Sequence, residues 1–409
     1  MRLLFVVQRY GSEVAGGAEA FCREYARRLV ACGIEVEVVT SCATSYVDWS
    51  DVYPPGIALI DGVRVHRLPV VAPREDRLFG PLHQRVLGSD GPRPHYLQRE
   101  WLTLEGPRLA GFEDWLGDAA VSFDATVFFT YLYWPTWAGL PIAAGRTTTV
   151  LHPTAHDEPP LYLPLFDLMF RQPHGFGFLA EEEQALVSRR FRLRRPSVVT
   201  GIGLDWDVPD DGAAFRRQFG LDDEPYLLYS GRLDPHKGAD ELYDYFVAYK
   251  QRNPGPLKLV MMGDPVRPVP PHDDVVVTGF VDEDTKHNGF AGALAFVQPS
   301  YFESFSIVLT EAWLHRKPAL VQARCDVLRG QAARSGGGIP YTGFAEFEAA
   351  VDLVTTDDAL AERLGRAGRR YVEDRYQWDH VLDTYVRFLE RLVEHRTASA
   401  VVGTRASRR

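Results

Sequence analysis

The chain of 409 residues lacks any excess of positive charge, is poor in cysteine and has no long apolar run. Its net charge is −10 and its pI near 5.7, which argues against nucleic acid as the main partner. Cys22, Cys32, Cys42 and Cys325 are scattered, with neither C-x-x-C nor a metal-ligand spacing. That excludes a disulfide scaffold and a zinc module, and sets the expectation of free thiols in a reducing, cytoplasmic compartment. No apolar run approaches the ~20 residues of a membrane span. The opening Met1-Arg2-Leu3-Leu4-Phe5-Val6-Val7 has no long apolar stretch and no small-residue cleavage site, so it reads as a first strand and not a signal peptide. A G-x-G-x-x-G fingerprint is missing, and with it the nicotinamide reading. Internal repeats are absent too.

What is present is ordinary globular chemistry, 45% hydrophobic and 24% charged, in a chain long enough for two domains. Short apolar runs alternate with helical periodicity. Strands are expected at 3–8, 34–40, 62–68, 125–130, 147–151, 175–179 and 197–200. After an acidic, glycine-containing linker at 201–212 the alternation resumes, with strands at 226–230, 257–262, 275–278, 293–298 and 319–323. Residues 71–105, rich in proline, interrupt the rhythm as a long irregular segment, taken as part of an acceptor side or as a surface insertion. A last helix is expected over 377–393. The small, basic tail 397–409 is expected to lack structure.

The most informative stretch is Pro299-Ser300-Tyr301-Phe302-Glu303-Ser304-Phe305-Ser306, placed between a buried strand and a helix. Ser304 and Ser306 suit the capping of that helix. Its amino end is a ready phosphate site, by backbone N–H groups and by the dipole. Glu303 and Glu311 bracket it. At about 100° per residue, a separation of eight returns within roughly 80° of the same face. Upstream, a strand runs into Gly231-Arg232-Leu233-Asp234-Pro235-His236-Lys237-Gly238. Arg232 and Lys237 there offer a planar fork and a mobile ammonium to a pyrophosphate.

Gly-Arg-Leu-x-x-x-Lys-Gly, followed about 65 residues later by Pro-Ser-x-x-Glu-Ser-Phe and by Glu311-Ala312, resembles the donor-binding half of retaining GT-B glycosyltransferases, in particular glycosyltransferase family 4. Glu303 and Glu311 match that family's Glu-x7-Glu motif. The resemblance implies an α/β fold of two Rossmann-like domains facing a central cleft, with the C-terminal helix crossing back to the first. The expected division is 1–203 with 377–395 as acceptor domain, and 204–376 as donor domain.

The resemblance also implies roles. Arg232 and Lys237 would stabilise the departing diphosphate, Glu303 would hold the donor sugar and Glu311 the ribose. Ser304, Phe305 and Ser306 would line the donor site, and Phe280 and Val281 would approach the base. The glycine loop ending in Gly16-Gly17 would face the donor phosphate and the acceptor, since paired glycines allow close backbone approach. His152 would face the reacting sugar, with His156 as second candidate.

The implied activity is retaining transfer of a sugar from a nucleotide-diphosphate-sugar, UDP- or GDP-linked, to an acceptor hydroxyl. The acceptor is a sugar, a lipid-linked glycan or a small molecule. No further cofactor is expected. Asp205-Trp206-Asp207 and Asp282-Glu283-Asp284 have D-x-D spacing, but Arg and Lys already meet the phosphate charge, so no metal is expected. Two alternatives share the architecture: a nucleotide-sugar 2-epimerase and a non-catalytic nucleotide-sugar-binding protein. The run Arg189 to Arg195 reads as a solvated face or as a peripheral contact with anionic lipid.

Overall fold

The structure, a computed structural model, describes every residue except Ala15, Ser89, Asp90 and 407–409, and of 399–406 the backbone alone. The chain divides into two compact units, Met1–Thr200 with Leu382–Arg409, and Gly201–Val381. No helix among the described residues is long and apolar enough to cross a membrane.

The first unit holds β1 (Arg2–Val6), β2 (Glu35–Ser41), β3 (Gly56–Ile60), β4 (Val63–Leu68), β5 (Ala125–Phe129), β6 (Thr148–His152), β7 (Gly175–Phe178) and β8 (Ser197–Val199). They form one sheet in the order β3-β4-β2-β1-β5-β6-β7-β8. Every neighbouring pair is parallel except β3 with β4. Every residue of β5 and β6 is buried, as expected where helices cover both faces of a parallel sheet. The strand order reverses at β1, between β2 and β5, and ligands of open α/β sheets bind beyond the strand ends at such a point.

Two features here were not anticipated. The edge strand β3 joins β4 through Asp61-Gly62, both at positive φ (50° and 78°), which is the chemistry of a two-residue hairpin turn. The segment 71–105, expected to be irregular, contains the helices Asp76–Leu87 and His95–Glu105. They bury Val86, Trp101 and Leu102 in the main apolar cluster of the unit. Their prolines hid the periodicity: Pro81 lies inside the first helix, while Pro92 and Pro94 only precede the start of the second, where proline is tolerated.

The second unit holds β9 (Tyr226–Ser230), β10 (Lys258–Met262), β11 (Val275–Gly279), β12 (Ala295–Gln298), β13 (Ala319–Gln322) and β14 (Gly338–Tyr341). All are parallel, in the order β11-β10-β9-β12-β13-β14. The reversal falls at β9, between β10 and β12. The unanticipated β14 contains Pro340 and lies at an edge, where a missing N–H is harmless.

The last helix spans Trp378–Ala406, longer than expected. Of the tail expected to lack structure, 397–406 continues this helix and 407–409 lie outside the described residues. From Leu382 the chain belongs again to the first unit. Phe388 and Leu392 press there on Gly175 of β7, where a Cβ would run into both.

Candidate functional site

The loops after β9 and β12 leave the second sheet where its order reverses, and one ion pair ties them together. Lys237 Nζ lies 2.9 Å from Glu303 Oε1. Lys237 keeps 36% of its side chain exposed, Glu303 12%. Arg232 Nη2 lies 3.0 Å from Asp234 Oδ2, with 43% of the arginine side chain exposed. Asp234 does a second job, accepting from the backbone N–H of His236 at 2.9 Å and capping the short 3-10 turn Pro235–Lys237. Asp234 thus orients Arg232 and shapes the turn that presents Lys237. Beneath the loop, the buried Tyr229 hydroxyl donates to Arg232 O at 2.8 Å.

Close backbone contact holds these loops. Gly238 has φ 72°, and a Cβ there would collide with the carbonyl oxygen of Pro299. Gly263, after β10, has φ 139°, and a Cβ there would collide with Gly231 O. Only glycine meets both demands.

The helix Ile307–Leu314 follows the second loop, and Ser306 precedes it at φ 70°. Capping by Ser306 was expected, but its side chain does not cap the helix. Its Oγ instead accepts from Gln298 Nε2 at 2.9 Å, and the same amide reaches Glu303 Oε1 at 3.2 Å. The left-handed backbone turns the hydroxyl away from the helix end. A non-glycine residue held in that region marks a stored constraint of the kind found at ligand sites. Phe305 is buried, edge-on to Tyr376 with ring centroids 5.1 Å apart, so its side chain packs the loop. Ser304 is half-buried beside Glu303.

Glu311 lies further along the helix and is buried. Lys286 Nζ binds its Oε1 at 2.8 Å and Glu283 Oε2 at 2.7 Å. Next to them His287 Nδ1 meets His315 Nε2 at 3.0 Å, and His315 Nδ1 meets Asp210 Oδ1 at 3.1 Å. Glu283, His287 and Glu311 could together hold a metal ion, their ligand atoms lying within 4.8 Å of one another. The Lys286 ammonium already serves both carboxylates. Of the D-x-D candidates, Asp282 caps the helix Glu283–Gly292 by accepting from Thr285 N at 2.8 Å. After β11, Phe280 is exposed and its N–H donates to Asp264 Oδ1 at 3.0 Å, with Val281 half-buried beside it.

In the first unit His152 does not reach a surface. It ends β6 with no exposed area, stacks on Phe129 at 5.2 Å and meets Phe21 edge-on at 4.9 Å. Its Nε2 pairs with Tyr385 OH at 3.0 Å. Burial pulls its pKa down to about 3, so the ring is a neutral packing element. The expectation that it faces a reacting sugar is corrected: the last residue of a buried strand points into the layer that covers the sheet. His156, four residues on, is partly exposed, with Nδ1 3.7 Å from Glu158 Oε1.

The backbone leading to His156 is gripped by Glu183, near the start of the helix Glu181–Phe191. Its carboxylate accepts from Ala155 N and Leu179 N, both at 2.8 Å. Burial pushes its pKa up to about 7 against the opposing pull of these N–H groups. After β1, Arg9 Nε donates to Glu19 Oε1 at 2.9 Å, and Gln8 Nε2 does so at the same distance. Gly16 leaves room for Glu19, since a Cβ there would collide with the carboxylate, whereas a Cβ on Gly17 would meet nothing within 4 Å.

Sequence reasoning missed Asp234, Gln298, Lys286, Glu183 and the Arg9–Glu19 pair. Asp234-Pro235 at a turn start was a readable cap signal. The others become visible only when distant elements meet.

Residues 211–371, nearly the whole second unit, match the family model for glycosyl transferases group 1. Over that stretch the chain is similar to the group 1 glycosyl transferases. It is 27% identical over 436 residues to the D-inositol 3-phosphate glycosyltransferase of Stackebrandtia nassauensis, covering 96% of this chain and 90% of that protein. It is 29% identical over 170 residues to the alpha-D-kanosaminyltransferase of Streptomyces kanamyceticus, covering 39% and 44%. In fold it is similar to the sucrose-phosphate synthase of Thermosynechococcus elongatus, with a TM-score of 0.71 at 18% identity over 97% of this chain and 100% of that one. This glycosyltransferase thus has two Rossmann-like units, as its family resemblance implied.

Proposed function

We propose that this glycosyltransferase transfers a sugar with retention from a nucleotide-diphosphate-sugar, UDP- or GDP-linked, to a hydroxyl of a sugar, lipid-linked or small-molecule acceptor. The observation that carries this reading is the junction of Arg232, Lys237 and Glu303 where the second sheet reverses. The bond from the anomeric carbon to the diphosphate oxygen breaks, and a bond to the acceptor oxygen forms on the same face. The acceptor proton passes to the departing phosphate oxygen. Arg232 and Lys237 neutralise charge that grows on the diphosphate, where preorganised positive groups help most. Glu303, held by Gln298 and Lys237, accepts from the sugar hydroxyls. Glu311 accepts from the ribose, and the backbone at Phe280 and Val281 approaches the base. Glu183 steadies the loop that offers His156, in place of His152, to the acceptor side, with Gly16-Gly17.

No metal is assigned a step, because side chains meet the diphosphate charge. A cytoplasmic setting agrees with four unpaired cysteines, and the exposed Arg192, Arg194 and Arg195 suit contact with an anionic membrane surface. The solved structure of Anabaena HepE with UDP and glucose, 16% identical with a TM-score of 0.66 over 95% of this chain and 99% of that one, motivates UDP-sugars as first donors to try.

The test is a thermal-shift screen with UDP-, GDP- and TDP-sugars, since a ligand of the native state raises its apparent stability. Nucleoside diphosphate release is then followed with and without acceptors. Release that requires an acceptor, with the anomeric configuration kept in the product, is expected. Isomerised nucleotide sugar formed without acceptor would overturn the reading in favour of a 2-epimerase.

A further inference from the structure

Glu311 is only half satisfied. Its Oε1 accepts from Lys286, while Oε2 is buried with no hydrogen-bond partner in the protein. A buried acceptor left without a donor is unfavourable, and a ligand that brings one removes the penalty. Lys286 is an unusual residue to find here, since lysine loses much rotamer freedom when buried. Its side chain is nevertheless 15% exposed and spans Glu311 and Glu283. Burial opposes its charge, but the two carboxylates outweigh burial and raise its pKa above the ordinary value.

The neighbouring imidazoles do not share this task. An ionised Asp210 can only accept, so His315 Nδ1 carries a proton. His315 Nε2 then accepts from His287 Nδ1. Burial lowers the pKa of both rings. Lys286 is therefore the cation of this cluster that holds Glu311.

We propose that Lys286 is a positioning residue for nucleoside binding: it fixes the ionised Glu311 carboxylate by Oε1, so that Oε2 accepts from the sugar hydroxyls of the donor's nucleoside. The proposal rests on the reading of Glu311 as the ribose contact. Without the ammonium, the buried carboxylate loses the partner that orients it, and the aimed acceptor is lost. A lysine that merely braced the two helices would affect every ligand of the second unit alike.

The test is isothermal titration of the full chain with UDP, GDP, TDP and inorganic pyrophosphate, for wild type, Lys286→Met, Glu311→Gln and the double variant. For the nucleotide that wild type binds tightest, each single variant is expected to lose about tenfold in affinity. The double variant should be little worse, because both changes remove one unit. Pyrophosphate binding should hold in all of them, and kcat at saturating donor should stay within about twofold for Lys286→Met, as for loss of uniform binding. Wild-type affinity in Lys286→Met beside weakened Glu311→Gln overturns the proposal and leaves the ribose reading standing. Wild-type affinity in Glu311→Gln overturns the ribose reading itself. Equal losses for nucleotide and pyrophosphate in Lys286→Met show a structural brace and overturn the proposal. Binding of none of the three nucleotides overturns both. Should Lys286→Met not fold, Lys286→Gln carries the same test.

Discussion

The two sheets reverse direction in the same way, β1 between β2 and β5 and β9 between β10 and β12, yet their carboxyl ends differ in character. In the second unit the candidate cations sit beyond a strand, on a loop, and keep part of their charge in solvent. Arg232 is two residues past β9 and Lys237 seven. In the first unit the charge after β1 is closed on itself, with Arg9 and Glu19 both buried. His152 lies within β6 and has no exposure at all. Place in the sequence near a strand end is therefore a weak guide. A strand's last residue still alternates into the covering layers, and only residues beyond it reach the rim.

The sharpest way to break this contrast is to remove the exposed charge of the second unit. Arg232→Ala and Lys237→Ala should each reduce turnover by on the order of 10²-fold or more, the loss seen when a transition-state charge partner is deleted. Melting temperatures should move little, since partly exposed ion pairs contribute only about 0–1 kcal/mol. Full kcat/KM with the native donor in both variants would sink the assignment.

Glu303 sharpens the comparison further, because it belongs to the same loops but is nearly enclosed. Glu303→Gln keeps size and hydrogen bonding yet loses the charge that Lys237 and Gln298 share. A contact to the reacting sugar strengthens as the ring flattens in the transition state. The variant should therefore lower kcat by about tenfold while donor KM changes less. Steady-state kinetics check this, and an unchanged kcat in a folded protein removes the role.

Glycine offers a third test across the two units. Gly238 serves packing: φ 72° and the nearby Pro299 carbonyl exclude a side chain. Gly238→Ala should destabilise by about 1–3 kcal/mol. Gly17 meets nothing, so Gly17→Ala should leave stability within about 0.5 kcal/mol. If Gly17 serves close approach of a ligand, the same change should lower kcat/KM by about tenfold. Denaturant melts and kinetics on both variants separate packing glycine from site glycine, and an unaffected kcat/KM in Gly17→Ala ends the functional reading.

How far the sequence reached follows the same divide. Strands buried on both faces, such as β5, β6 and β9, announced themselves as short apolar runs. The loop motifs holding Arg232, Lys237 and Glu303, and the helix start that carries Glu311, were legible because their chemistry is local. β3 was missed although Asp61-Gly62 carried a hairpin signal, because Ile57 and Leu59 sit exposed at an edge without a buried face to set the pattern. The helices within 71–105 were hidden by proline. Partners brought together by folding, such as Lys286 on Glu311 or Glu183 under the His156 loop, leave no mark in any one stretch. His152 was misjudged because sequence shows nearness to a strand end but not which way the ring points.

The smallest expected effect concerns that ring, and it appears only in acid. His152 has a folded pKa of about 3, below the ~6.5 of an unperturbed histidine. Between those values the unfolded chain binds a proton that the folded chain refuses. Stability therefore rises with pH across this window. The contribution is fully present above about pH 6.5 and is lost progressively as pH falls toward 3. The buried carboxyls of Glu105 and Glu183, with pKa raised to about 7, act in the opposite sense. They remain in a His152→Gln variant and cancel when it is compared with wild type. His152→Gln will also lose ring packing, which lowers Tm at every pH, so the slope is the quantity to read. Wild-type Tm should fall more steeply than that of the variant between pH 6.5 and 4.5, while kcat per folded molecule at neutral pH stays close to wild type. Parallel slopes would mean that His152 is not held neutral in the interior. A kcat loss without a change in slope would restore it to the reacting centre, and His156→Ala would then be expected to retain activity.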